Sequence, residues 1–125
     1  MNTKRIITTS LLTILLLIGS VSISYAQDKA YKLYPTENIY TVIKLNTRNG
    51  KVYQVQIGMN KNSSKAELTV NGMALVSPDE EKDGRFELQK TGNMYNFVML
   101  DRIDGRLWQV QWHPSPDGRF ITPIY

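Results

Sequence analysis

Gly105-Arg-Leu-Trp-Gln-Val-Gln-Trp112 and Gly50-Lys-Val-Tyr-Gln-Val-Gln-Ile57 are two versions of one segment, 55 residues apart. The likeness runs without a gap over residues 31–58 and 86–113, where nine of the 28 pairs are identical: Leu33/Leu88, Thr36/Thr91, Asn38/Asn93, Tyr40/Tyr95, Leu45/Leu100, Gly50/Gly105, Gln54/Gln109, Val55/Val110 and Gln56/Gln111. Ordinary composition gives roughly two identities by chance. Self-similarity at a fixed spacing marks one supersecondary unit used twice.

The unit reads as β throughout. Tyr40-Thr-Val-Ile-Lys-Leu-Asn46 and Tyr95-Asn-Phe-Val-Met-Leu-Asp101 are rich in β-branched and aromatic residues. Each leads through a loop ending in Asn49-Gly50 or Asp104-Gly105 to a second strand, 51–57 or 106–112. Asx-Gly between two such runs is a hairpin signal, and here it suits a turn closed by glycine in the left-handed region, where a Cβ would clash. Shorter strands are expected before each hairpin, at 31–34 and 86–89, and after it, at 66–70 and 120–124, with Pro123 marking an edge. Asn71-Gly72 predicts a further turn folding 73–76 back on 67–70. The repeated Thr36-x-Asn38-x-Tyr40 and Thr91-x-Asn93-x-Tyr95 predict a turn in which Asn and Thr bond the local backbone. Between the copies, Ser77-Pro78-Asp79-Glu80 predicts a short helical turn, with Gly84 as its stop. The expected fold is all-β: two four-stranded antiparallel meanders, about 31–70 and 86–124, packed as a sandwich or a flattened barrel with approximate two-fold symmetry. Two blades alone cannot close a propeller.

Alternation assigns the faces. Tyr53, Val55 and Ile57 share one side of their strand, and Trp108, Val110 and Trp112 share the matching side of theirs. These aromatic faces are expected to be buried against one another, with Gln54, Gln56, Gln109 and Gln111 on the opposite, outer sides. The strand around Phe97 and Met99 is apolar on both sides, which predicts a central strand covered on both faces.

Residues 1–26 read as an export signal. Lys4 and Arg5 precede an apolar stretch from Ile6 to Val21, and Ser24-Tyr25-Ala26 supplies small residues at a cleavage site. The apolar core, Leu11 to Ile18, is short for a membrane span, which needs about 20 residues. Residues 27–125 then form a single β-domain of 125 − 26 = 99 residues. Of 15 basic residues the signal removes two, leaving 13 against 11 acidic ones. With no basic stripe, nucleic acid is not an expected partner. The chain has no cysteine. That excludes disulfides and a thioether lipid anchor, so the domain must stand on its apolar core.

Little in the composition suggests catalysis. The single histidine, His113, lies near Ser115 and Asp117 in a proline-broken segment that reads as a loop. One histidine and no cysteine argue against zinc. Asp101 and Asp104 could approach a calcium ion, but Asx residues serve the same turns without one. No catalytic residue, metal or cofactor is assigned. The candidate binding residues are Gln54, Gln56, Gln109, Gln111, Trp112 and His113. The glutamine amides could bond sugar hydroxyls or an added strand. Trp112, if it leaves the core, would offer a stacking platform beside His113 and Tyr125.

The strings from Gly84 to Asp101 and from Gly105 to Trp112 resemble a group of small exported bacterial proteins with the pattern Leu-Asp…Gly-Arg-x-Trp-Gln-Val-Gln-Trp. Copy one carries a weaker version, with Tyr53 for the first Trp and Ile57 for the second. The resemblance implies export and a duplicated β unit, and no activity. The expected protein is thus a periplasmic or secreted non-enzymatic β-domain. Its partner is an envelope or extracellular protein, reached through a sheet edge or the glutamine face. The alternative is a glycan, held by Trp112 and neighbouring amides.

Overall fold

The computed structural model describes residues 29–125. The expected signal, 1–26, lies outside the described residues. Eight strands follow in order: β1 (Tyr31–Pro35), β2 (Thr41–Asn46), β3 (Val52–Gln56), β4 (Ala66–Asn71), β5 (Phe86–Lys90), β6 (Asn96–Asp101), β7 (Leu107–Gln111) and β8 (Phe120–Ile124). They form two antiparallel four-stranded sheets, β1-β2-β3-β4 and β5-β6-β7-β8. The two sheets pack on one another as a sandwich, and among the described residues no barrel closes. A single 3-10 turn, Pro78–Glu80, lies between them. There the Glu80 carboxylate accepts bonds from the Ser77 hydroxyl at 2.7 Å and from its N–H at 3.4 Å.

Strands β1 to β3 and β5 to β7 start and end at the same offset of 55. The turn chemistry recurs with them. Thr36 Oγ1 donates to the Thr41 carbonyl at 2.7 Å, and Asn38 Oδ1 accepts the Tyr40 N–H at 2.8 Å. Thr91 Oγ1 donates to the Asn96 carbonyl at 2.9 Å, and Asn93 Oδ1 accepts the Tyr95 N–H at 2.9 Å. Each hairpin closes by a glycine N–H on the carbonyl four residues back: Gly50 to Asn46 at 2.9 Å and Gly105 to Asp101 at 2.8 Å. Both glycines have the left-handed φ that the Asx-Gly signal predicts, +81° and +76°.

Three expectations are corrected. Residues 73–76 form no strand. A register shift at Val52/Tyr53 leaves Val70 unpaired, so β4 bulges and turns both Val70 and Asn71 inward. Asn71 Nδ2 then donates to the Gly50 and Met73 carbonyls, at 2.9 Å each, and the chain crosses the hairpin end. There the Leu75 N–H donates to the Asn49 carbonyl at 2.8 Å.

The second correction concerns the faces. Copy two is as expected: Trp108, Val110 and Trp112 are buried. Copy one is inverted. Val52 and Gln54 point into the core with Thr41, Ile43 and Leu45, while Tyr53, Val55 and Ile57 point outward. The reason lies on β2. Lys44 is the direct cross-strand partner of Tyr53, so burying the tyrosine face would bury the ammonium group as well. Stripping a charge of water is expensive unless it is fully paired. Lys44 instead stays at the surface, ion-paired with Glu67 and lying 5.3 and 5.2 Å from the ring centroids of Tyr31 and Tyr53. The two aromatic faces therefore do not meet. The inner face of the first sheet packs on the aromatic face of the second, and the sheets stack face to back rather than by a two-fold rotation.

The third correction follows. Strand β6 is covered on one side only: Phe97 and Met99 are buried, and Val98 and Leu100 are half-exposed. The core joins both sheets through Ile43, Leu45 and Val52 on one side and Phe86, Leu88, Phe97, Met99, Trp108, Val110 and Trp112 on the other. Tyr34 crosses between them, its ring edge-on to Phe97 at 6.4 Å and its hydroxyl accepting the Leu88 N–H at 3.2 Å.

The hairpin glycines give a clean test. A Cβ at Gly105 meets no atom within 4 Å, whereas one at Gly50 falls 2.6 Å from Leu75 Cδ1. Gly105→Ala should lower stability in urea unfolding by about 1–2 kcal/mol through backbone strain alone. Gly50→Ala should cost more, because Leu75 must also move.

Candidate functional site: the glutamine, tryptophan and histidine cluster

The structure separates the four glutamines by the face inversion. Gln54 is wholly buried between the sheets. Its amide forms a pair of bonds with the main chain of His113: Nε2 donates to the carbonyl at 3.0 Å, and Oε1 accepts the N–H at 3.1 Å. This side chain does for the end of β7 what a neighbouring strand would do. Gln56 is half-buried and accepts the Thr41 hydroxyl at 2.6 Å. Gln109 and Gln111 lie on the outer side of the second sheet. Gln109 Nε2 donates to Asn96 Oδ1 at 2.7 Å, and Gln111 Nε2 donates to the Gly118 carbonyl at 2.9 Å. No single surface carries all four amides.

Trp112 lies in the core, only 1% exposed. Its indole Nε1 donates to the Met94 carbonyl at 2.9 Å, and its ring packs at 4.9 Å against Tyr95. A buried ring offers no face to a sugar. His113 sits at the rim with its ring 5.3 Å from Tyr95. Its Nδ1 accepts the Ser115 N–H at 3.0 Å, and its carbonyl also accepts Arg119 Nε at 2.9 Å. Gly118 is fitted beneath it, since a Cβ there would fall 2.3 Å from the imidazole. Gln54, Trp112 and His113 thus come together as the joint between the sheets. Among the described residues no group of three or more His, Cys, Asp or Glu is placed to hold a metal ion.

An ion cluster that sequence reading did not find closes the opposite end of the joint. Asp101 is fully buried and Arg85 nearly so. Arg85 grips the Asp101 carboxylate through Nε and Nη2, at 3.0 Å each, and reaches Asp104 at 3.0 Å. Arg106 Nη2 adds a contact to Asp101 at 3.1 Å. The N–H groups of Ile103 and Asp104 donate to Asp101 Oδ1. The two aspartates weighed as calcium ligands are therefore held by guanidinium groups. Bidentate Arg–carboxylate geometry suits such a buried pair. The sequence signal was available: the Arg of Asp83-Gly84-Arg85-Phe86 follows a turn, but nothing local shows that it faces inward. Among the described residues no buried side-chain nitrogen or oxygen lacks a partner.

Burial pushes the Asp101 carboxyl up, but Arg85, the two backbone N–H groups and Arg106 outweigh it and hold the group at about 2, below its ordinary 3.8. A lowered folded value stabilises the fold fully above 3.8 and loses that contribution as pH falls toward 2. The contribution is about 2 kcal/mol. Urea unfolding measured from pH 7 downward should show this loss. Asp101→Asn should abolish that part of the acid sensitivity. At neutral pH it should cost about 3 kcal/mol, because Arg85 is left buried beside a neutral amide.

Comparison with protein-family models, with curated proteins and with solved structures finds no match.

Proposed function

We propose that this is an exported, non-enzymatic binding module that engages another protein, in the envelope or outside the cell, through the outer faces of its sheets. The observation that carries the reading is the outer side of the second sheet. Val98, Leu100, Leu107 and Ile124 form an apolar strip there, bordered by the amides of Asn96, Gln109 and Gln111. Leu107 and Ile124 are among the exposed large hydrophobic residues of the chain. An apolar centre with hydrogen-bonding groups at its border is the usual make-up of a protein-binding patch. The other end of the stack adds Leu33 and Ile57, also exposed. Export rests on the signal-like sequence of residues 1–26. Among the described residues no helix is long and apolar enough to cross a membrane.

The reading does not use Trp112 or His113 as contact groups, because one is buried and the other is engaged in the joint. Glycan recognition, the alternative drawn from sequence, rested on Trp112 and has no exposed ring at that position.

The test is affinity capture from the envelope fraction of the source cells with the tagged chain. A defined partner should be captured, its recovery should fall at least tenfold with Leu107→Arg, and it should be unchanged with His113→Ala. Hydrolytic activity that vanishes in His113→Ala would overturn the reading. So would glycan-array binding that survives Leu107→Arg.

A further inference from the structure

The first sheet overhangs the second at one side. β2 lies against β5, the edge strand of the second sheet, so β1 stands beyond that edge. Lys32 and Tyr34 pair with Leu45 and Ile43, which puts them on the inner side of the first sheet. There the inner side borders a cleft of about 290 Å³, also lined by Lys29 and Tyr31 of the first copy and by Glu87 and Arg102 of the second. Sites for small organic ligands begin at roughly this size. The polar groups of the cleft are nearly all donors. Lys32 Nζ lies 4.9 Å from the centre of the Tyr34 ring, and among the described residues neither Lys32 nor Lys29 has a carboxylate partner. The Tyr34 hydroxyl accepts the Leu88 N–H at 3.2 Å, and among the described residues nothing accepts its own proton. Arg102 donates to the Gly84 carbonyl at 3.0 Å, and its Nε lies 3.9 Å from Glu87. Three cations against one carboxylate leave an excess of two positive charges. This lining is particular to copy one and no by-product of the shared strand pattern: 55 residues after Lys29, Lys32 and Tyr34 stand Gly84, Glu87 and Gln89.

We propose that this cleft binds a phosphomonoester carried on a small organic group. At neutral pH such an ester bears a charge of about −1.5 to −2 and offers three acceptor oxygens. The charge matches the excess of two in the cleft. The oxygens match the ammonium groups of Lys29 and Lys32 and the hydroxyl proton of Tyr34. Lysine meets phosphate as a point charge with three donors and needs no fixed fork, which suits side chains on an overhanging strand. A carboxylate or a phosphodiester brings a single charge and leaves one ammonium unanswered. Tyr31, 58% exposed, gives the organic part an aromatic wall. The two lysines would otherwise repel one another across the cleft, and a seated dianion turns that repulsion into attraction. The site goes beyond the protein-binding reading and uses none of the residues of the outer apolar strip.

The test is a nuclear magnetic resonance titration of the chain, expressed from its full sequence, with glycerol 3-phosphate at constant ionic strength. Saturable shifts should appear at the amides of Lys32, Tyr34 and Glu87, and the hairpin glycine Gly105 should not move. Lys32→Gln should weaken binding about tenfold, the worth of one charge-assisted hydrogen bond, with an unchanged melting midpoint. Lys61→Gln removes the same charge from the loop between β3 and β4 and should change nothing. Dimethyl phosphate, a diester with one charge, should bind about tenfold more weakly than the monoester. Equal losses in the two lysine variants would mean attraction to net charge alone and overturn the site. So would equal binding of the diester, or no saturable binding. Phosphatidylcholine vesicles containing phosphatidic acid separate the two sources of the ester. Capture on them that glycerol 3-phosphate competes and Lys32→Gln abolishes supports the site and makes the ester a lipid headgroup. Binding of the soluble ester with indifference to vesicles supports the site and makes the ester a free small molecule. Envelope capture that depends on Leu107 is expected whether or not the ester binds, so either reading can fail without the other.

Discussion

The architecture depends on one charge that cannot be buried. Lys44 stands opposite Tyr53 on the first sheet, at the position where the second sheet has Met99. Were that face turned inward, the ammonium and its partner Glu67, which lies on the same face, would both have to leave water for a core of Phe86, Met99 and Trp108. Kept outside, it pairs with Glu67 and lies near two tyrosine rings. The opposite face, Thr41, Ile43, Leu45, Val52 and Gln54, is then the one that packs. Among these five side chains the large polar group is Gln54, and both ends of its amide are met by the main chain of His113. Leaving the His113 N–H unpaired would cost about 1–3 kcal/mol, so the amide also fixes where the sheets sit relative to one another.

Much of this was legible in the sequence, and the limit is informative. The Asx-Gly hairpins, the Thr-x-Asn-x-Tyr turns and the strand positions follow from local chemistry, and the structure reproduces them at nearly the predicted residues. The faces of copy one were misread because β3 was taken alone. Tyr53, Val55 and Ile57 look like a buried stripe until β2 is laid beside them and Lys44 falls among them. The pairing register was implicit in the short hairpin loop, so the signal was present. The bulge at Val70 and the inward turn of Arg85 are different. Each is decided by tertiary partners, Asn71 with Gly50 and Arg85 with Asp101, that lie 16 or more positions apart.

The candidate site divides along the same line. Glutamines at 54 and 109 are identical in sequence and opposite in circumstance: one is a buried strut and the other lies at a surface. Sequence reading grouped them because it carried one face assignment across both copies. Trp112 and Ile57 illustrate the converse. They hold equivalent positions, and only the tryptophan is buried, because only the second sheet turns that side inward. Two sheets with matching strand positions that bury opposite sides leave outside the same kinds of residue that they hold inside. That gives the outer apolar strips a physical origin, and it is the ground on which they are proposed as contact surfaces.

The most direct measurement of face-to-back packing is a nuclear Overhauser spectrum of the aromatic and amide protons. Cross-peaks should connect the Tyr34 ring to the Phe97 ring, and the Gln54 side-chain amide to the His113 backbone N–H, with none between Tyr53 and Phe97 or Trp108. Cross-peaks from the Tyr53 ring to Trp108 would place the two aromatic faces together and contradict the account at its root.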